Sequence, residues 1–117
     1  MINIVCSNIS VASGKPEITK GELSFSLLVE GHSGIGKKGD DIFCAAVSAL
    51  SQTMAITFSK TSGLDVRIKQ EDGFLKTEVE IEDKNSLTSA KVILDFFLTG
   101  IAELGKIYPD ELDIKFN

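Results

Sequence analysis

The sequence contains few of the residues that build metal centres and disulfide frameworks. Its 117 residues include two cysteines, Cys6 and Cys44, and one histidine, His32. None of the short cysteine and histidine spacings typical of zinc sites is present, so we expect no metal and no cofactor. We place the chain in the cytoplasm, where both cysteines would stay reduced. Chemistry that needs an imidazole must use His32.

The sequence also lacks the features of a membrane, exported or nucleic-acid-binding protein. No apolar run approaches the roughly 20 residues that span a bilayer. The N-terminus has no basic segment ahead of an apolar one, as a secretory signal would. The net charge of −5 argues against broad binding to nucleic acid and suits a basic partner. We therefore expect neither a membrane nor nucleic acid as a direct partner.

The remaining composition is that of a folded domain. Hydrophobic residues make up 43% of the chain and charged residues 25%, and 117 residues can enclose one core. We predict a single domain over residues 1–117.

Hydrophobic periodicity predicts an α+β fold. Alternation over residues 2–7, 23–29, 66–70 and 75–81 indicates strands, and Glu71-Asp72-Gly73 indicates a hairpin turn between the last two. Apolar residues then recur every three or four positions in two helices, the first capped by Asp40 or Asp41 and the second by Asn85 or Ser86. With a last strand over residues 112–116, the order is ββαββαβ: two helices packed on one mixed or antiparallel sheet.

The first predicted helix has two faces. Apolar residues at helical spacing predict a core face, which consists of Phe43, Val47, Leu50, Met54 and Phe58. A neighbouring stripe of small residues would let a strand, a partner subunit or a substrate approach closely. This stripe consists of Cys44, Ser48, Ser51 and Ala55.

His32 and Cys44 form the candidate catalytic pair. His32 follows a predicted strand, and Cys44 lies in the predicted first turn of a helix, so both can reach the same sheet edge. A thiol is a strong nucleophile as thiolate, which an imidazole and a helix N-terminus both favour. His32 would then donate the proton to a leaving amine, while amides of the glycine-rich loop or the helix start hold an oxyanion.

Other interpretations of this segment remain open. Cys44 could be a small buried residue and His32 an ordinary loop residue. Gly31 and Gly36-Lys37 also match part of a phosphate-binding loop, but Lys38 stands where that motif needs Ser or Thr for magnesium. Asp41 could be only a helix cap or could orient His32. Ser48, one turn after Cys44, could be a packing residue or could lie near the substrate.

The segment resembles a specific family signature. Gly31-His32-Ser33, followed by Gly39-Asp40-Asp41-Ile42-Phe43-Cys44-Ala45-Ala46-Val47-Ser48, is similar to the signature of the ribosomal-processing cysteine proteases of the Prp family. The spacing between His32 and Cys44 is the same as in that family. Phe43 replaces the usual valine, and residues 7–21 are longer than expected. The second difference could alter the dimer or the substrate groove.

The resemblance implies an activity, a substrate and an assembly. Proteins of this family are small homodimers that remove an N-terminal extension from large-subunit ribosomal protein number twenty-seven, cutting after a pair of phenylalanines. Carried over, the catalytic pair is Cys44 and His32. Gly34, Gly36 and Gly39 would give the intervening loop the freedom to close on the substrate. The competing hypothesis is a non-catalytic binding or ribosome-assembly module of the same fold.

Overall fold

The computed structural model describes residues 1–19, 21, 23–31 and 38–117, the last range without the side chains of residues 38–41. The elements follow one another as β1 (Ile2–Ser7), β2 (Ile9–Ala12), β3 (Lys15–Ile18), β4 (Ser24–Gly31), α1 (Lys38–Lys60), β5 (Leu64–Glu71), β6 (Phe74–Ile81), a 3₁₀ turn (Lys84–Ser86), α2 (Leu87–Ile107) and β7 (Leu112–Phe116).

Five strands form one mixed sheet in the order β5-β6-β4-β1-β7. β1 pairs antiparallel with β4 and parallel with β7, while β6 pairs antiparallel with both β4 and β5. This architecture confirms the predicted α+β class and the mixed sheet. The predicted hairpin is present as β5 and β6, joined at Asp72-Gly73.

The core lies between the two helices and one face of this sheet. The inward residues of β6 are Leu75, Thr77, Val79 and Ile81, as the alternation predicted, and all four are buried. Phe43, at the position where the family pattern has valine, is fully buried and packs on Tyr108 with the ring centroids 4.9 Å apart. The larger residue is therefore accommodated by core packing.

The predicted order of elements matches the structure except that two short strands, β2 and β3, form an additional hairpin within residues 7–21. The sequence indicated only a turn at Gly14-Lys15-Pro16. Ile9 and Ile18 pair across this hairpin and are buried. The hairpin is also joined to α2 by Lys15 Nζ to Asp95 Oδ2 at 3.2 Å and Lys91 Nζ to Glu17 Oε2 at 2.9 Å.

The predicted start of α1 was wrong by three or four residues. The helix begins at Lys38, ahead of the predicted caps Asp40 and Asp41. Cys44 is therefore the seventh helical residue and lies in the second turn. This matters for its chemistry, since the favourable field of a helix N-terminus falls off within the first turn.

By length and composition, one helix among the described residues is apolar enough to cross a membrane, whereas no apolar run of that length was expected. The stretch is Ile42–Lys60, and a third of it is buried. Phe43, Val47, Met54 and Phe58 on this helix pack into the core. These four residues place part of its apolar surface in the core, and a core helix can have the same length and composition.

Candidate active site

A cleft of about 590 Å³ lies between α1, the adjoining ends of β1 and β4, and the β5–β6 turn. Among the described residues it is lined by Ile2, Val29, Gly31, Cys44, Val47, Ser48, Ser51, Gln52, Gln70, Glu71, Asp72, Gly73, Phe74 and Leu75. Three predicted site residues, Gly31, Cys44 and Ser48, therefore lie at one cleft. A cleft of this size can hold several side chains of an extended peptide.

Cys44 is presented to the cleft by α1. It is half-buried and packs against the hydrophobic core while its side of the helix faces the cavity. Cys44, Ser48 and Ser51 of the small-residue stripe all line this cavity. Three of the four members of the stripe therefore border an open cleft.

The backbone at Gly31 requires glycine for two reasons. Its φ of +107° is a conformation that side-chain-bearing residues rarely adopt, and a Cβ there would collide with the carbonyl oxygen of Met1. The Gly31 amide donates to the carbonyl oxygen of Gly73 at 2.9 Å. This bond joins the end of β4 to the β5–β6 turn, so the strand that leads to His32 is fixed to the wall of the cleft.

Ser48 and Gln52 continue the polar side of α1 beyond Cys44. Gln52 Nε2 donates to Ser48 Oγ at 2.9 Å, and both side chains are exposed to the cleft. Ser51 is buried, and its hydroxyl donates to the Val47 carbonyl oxygen at 2.7 Å. The spacing of four residues puts Cys44, Ser48 and Gln52 on one face of the helix.

The β5–β6 turn is the part of the cleft that the sequence reasoning missed. Residues 70–75 were recognised as a hairpin, but nothing in their spacing indicates that the turn lies opposite Cys44. Glu71 and Asp72 add two exposed carboxylates to the rim. The sequence reasoning also missed Gln52. Its position two turns after Cys44 on the same helix was a signal that could have indicated it.

For the other predicted site residues, the structure describes either nothing or the backbone alone. His32, Gly34 and Gly36 are outside the described residues, so the pairing of His32 with Cys44 and the closure of the loop stay predictions. Gly39 and Asp41 belong to α1, and the side chain of Asp41 lies outside the described part of the chain. Because α1 begins at Lys38, Asp41 is not its N-cap, and its role as an orienting residue for His32 stays a prediction.

The second cysteine has a different environment. Cys6 on β1 is fully buried, and burial raises the pKa of its thiol to about 12. Cys6 therefore stays protonated and inaccessible at neutral pH, and it is unsuited to nucleophilic chemistry. Within the described part of the chain, no group of three or more His, Cys, Asp or Glu residues could hold a metal ion.

Structural comparison gives the same fold in three solved chains. SMU.848 from Streptococcus mutans is similar with a TM-score of 0.64 and 23% identity, over 99% of this chain and 93% of that one. The Staphylococcus aureus ribosomal processing protease Prp is similar at 18% identity, over all of both chains. Its TM-score is 0.70 in complex with a substrate peptide and 0.72 with a covalently linked product peptide.

Sequence comparison identifies the family. No curated protein sequence matches this chain. The family model described as cysteine protease Prp matches residues 15–113, which include Cys44 and all of the described cleft residues except Ile2. The chain thus belongs to the Prp family of cysteine proteases.

Proposed function

We propose that this cysteine protease removes the N-terminal extension of the precursor of large-subunit ribosomal protein number twenty-seven, with Cys44 as nucleophile and His32 as its proton partner. The observation that carries the proposal is that Cys44 and Gly31, which immediately precedes His32, line one cleft in a chain of the Prp family. The Staphylococcus aureus relative, a ribosomal processing protease, has been captured with a substrate peptide and with a covalently linked product.

The proposed reaction is acyl transfer to a thiol. The Cys44 thiolate attacks the scissile carbonyl carbon, and the carbonyl π pair moves onto oxygen. The tetrahedral intermediate collapses as His32 gives its proton to the leaving amine, which releases one product and leaves a thioester on Cys44. Water, deprotonated by His32, then hydrolyses the thioester and releases the second product.

The cleft lining supports an apolar and basic substrate. The half-buried Phe74 and the largely buried Ile2, Val29 and Leu75 give the cleft an apolar lining that suits a pair of phenylalanine rings. Glu71 and Asp72 on the rim, with the net charge of −5, favour a positively charged ribosomal protein.

The assembly and the compartment belong to the same proposal. The family resemblance supports a homodimer, and two cysteines with reduced thiols suit the reducing cytoplasm. The small-residue stripe no longer adds to this argument, since three of its members line the cleft. Light scattering at tens of micromolar should give twice the chain mass of 12.6 kDa, and a monomeric mass would contradict the dimer.

The direct test is cleavage of the purified precursor, followed by mass spectrometry of the products. Wild type should cut after the Phe-Phe pair, whereas Cys44→Ala and His32→Ala should leave the precursor intact. Cys6→Ala is the matched control, because it removes a thiol that the cleft does not contain. Binding of the precursor without cleavage by wild type would instead favour the non-catalytic assembly module.

A further inference from the structure

We infer that Gln52 is a positioning residue that turns the Ser48 hydroxyl into a hydrogen-bond donor for the oxyanion formed on Cys44. The inference rests on Cys44 as the nucleophile of the proposed function. It assigns roles to a side-chain pair, Gln52 and Ser48, on the wall of the cleft.

The hydrogen bond between the two side chains has a direction. The Gln52 amide nitrogen donates to Ser48 Oγ at 2.9 Å. A hydroxyl has one proton to donate, and accepting the bond from Gln52 leaves that proton available for another acceptor. The amide also occupies one side of Oγ, which restricts where the proton can point.

Ser48 differs from the other hydroxyl residues of α1. Three of them, Ser51, Thr57 and Ser59, donate their hydroxyls to the carbonyl oxygen four residues earlier, as does Thr61 just after the helix. Within the described part of the chain, the bond from Gln52 is the one recorded for the Ser48 side chain. The Ser48 proton is therefore not consumed by the helix backbone.

The geometry of a helix directs Ser48 toward Cys44. Every Cα–Cβ bond leans toward the helix N-terminus, so the side chain of Ser48 lies over the turn that carries Cys44. Both residues line the same cavity. The inferred arrangement therefore brings the carbonyl oxygen of an acyl group on Cys44 within reach of the Ser48 proton.

The position of Cys44 in the helix makes such a donor useful. Cys44 lies in the second turn of α1, so its own amide group is engaged in the helix. The free amide groups and the favourable field of the helix N-terminus belong to the first turn. A side-chain donor that is oriented before the reaction can stabilise the oxyanion at little further cost. Ser48 supplies the donor, and Gln52 holds it in place.

The test compares two reactions of Cys44 that differ in oxyanion formation. Acylation by p-nitrophenyl acetate places negative charge on a carbonyl oxygen before p-nitrophenolate leaves and a thioester remains. Alkylation by iodoacetamide forms the C–S bond and expels iodide without such charge. Neither probe needs the ribosomal precursor, so failure of precursor cleavage and failure of this inference are separate results. Cys44→Ala defines the part of each signal that belongs to Cys44.

Gln52→Glu is the decisive variant, because its carboxylate accepts the Ser48 proton and reverses the hydrogen bond. We expect acylation to fall about tenfold or more, while alkylation stays within about twofold of wild type. Gln52→Met, which neither donates nor accepts at that position, should give a smaller loss. Thr53→Glu adds the same charge to the same turn of α1, away from the cleft, and should leave both rates unchanged.

A double-mutant cycle separates positioning from charge. Ser48→Ala should slow acylation by a similar factor, and Gln52→Glu should then cost nothing further in the Ser48→Ala background. The inference is overturned if Gln52→Glu leaves acylation unchanged, if it slows both reactions equally, or if its effect persists without the Ser48 hydroxyl. Absence of any acylation that depends on Cys44 in wild type also overturns it.

Discussion

The two cysteines show how surroundings, rather than residue type, decide reactivity. Cys6 is enclosed by the core on β1, where no water can solvate a thiolate. Cys44 is on a helix face that borders a cleft. The sequence suggested this difference only through the motif around Cys44, whereas the structure gives it a physical cause.

Burial of Cys6 predicts a specific loss of stability at alkaline pH. Its thiol pKa is about 12 in the folded state and 9.0 without burial, so between these values only the unfolded chain loses the proton. The free energy of unfolding should therefore fall as pH rises above 9, by about 1.4 kcal/mol per pH unit from this group.

Urea titrations at several pH values between 8 and 10.5 would measure this loss. Cys6→Ala should reduce the slope by that amount even though the variant is less stable overall. Equal slopes in wild type and Cys6→Ala would show that the buried thiol does not titrate as its surroundings require.

Gly31 gives a second prediction at the residue scale. Gly31→Ala must adopt a positive φ and must also move the Met1 carbonyl, so we expect a loss of about 2–3 kcal/mol in the free energy of unfolding. Gly14→Ala is the matched control, with a φ of +75° but no described atom within 4 Å of the added Cβ. If the two variants lose the same stability in urea titrations, the clash at Met1 is not real.

At the scale of elements, the long periodic segments were predictable and the short ones were not. α2 and the β5–β6 hairpin have enough repeats of their pattern for the sequence to define them. β2 and β3 are four residues each and include Pro16, and they are held by contacts to α2 that no local pattern shows. The first residues of α1 were also not predictable, because they precede the apolar repeat that indicates the helix.

The added hairpin should depend on its buried residues rather than on its ion pairs. Ile18→Ala removes a side chain that is only 4% exposed and should cost about 2–5 kcal/mol in the free energy of unfolding. Lys15→Ala breaks an exposed ion pair to Asp95 and should cost less than about 1 kcal/mol. Urea denaturation that ranks Lys15→Ala as the more damaging change would contradict this packing account.

At the scale of the whole molecule, the cleft is the feature that sequence patterns could not supply. The motif predicted Gly31, Cys44 and Ser48, which lie in two neighbouring segments of the chain. The opposite wall comes from residues 70–75, which reach the cleft through the strand order β5-β6-β4-β1. The turn signal in the sequence shows that the chain reverses between β5 and β6, but it does not show that this turn lies across the cleft from α1.

Trapping the acyl-enzyme tests the central claim, that Cys44 is the nucleophile of this protease. Wild type would be mixed with the precursor, quenched in acid within the first turnover, digested and mapped by mass spectrometry. We predict a thioester between Cys44 and the fragment that ends in Phe-Phe, and none in Cys44→Ala. A thioester or ester on any other residue, or cleavage by Cys44→Ala at the wild-type rate, would contradict the account.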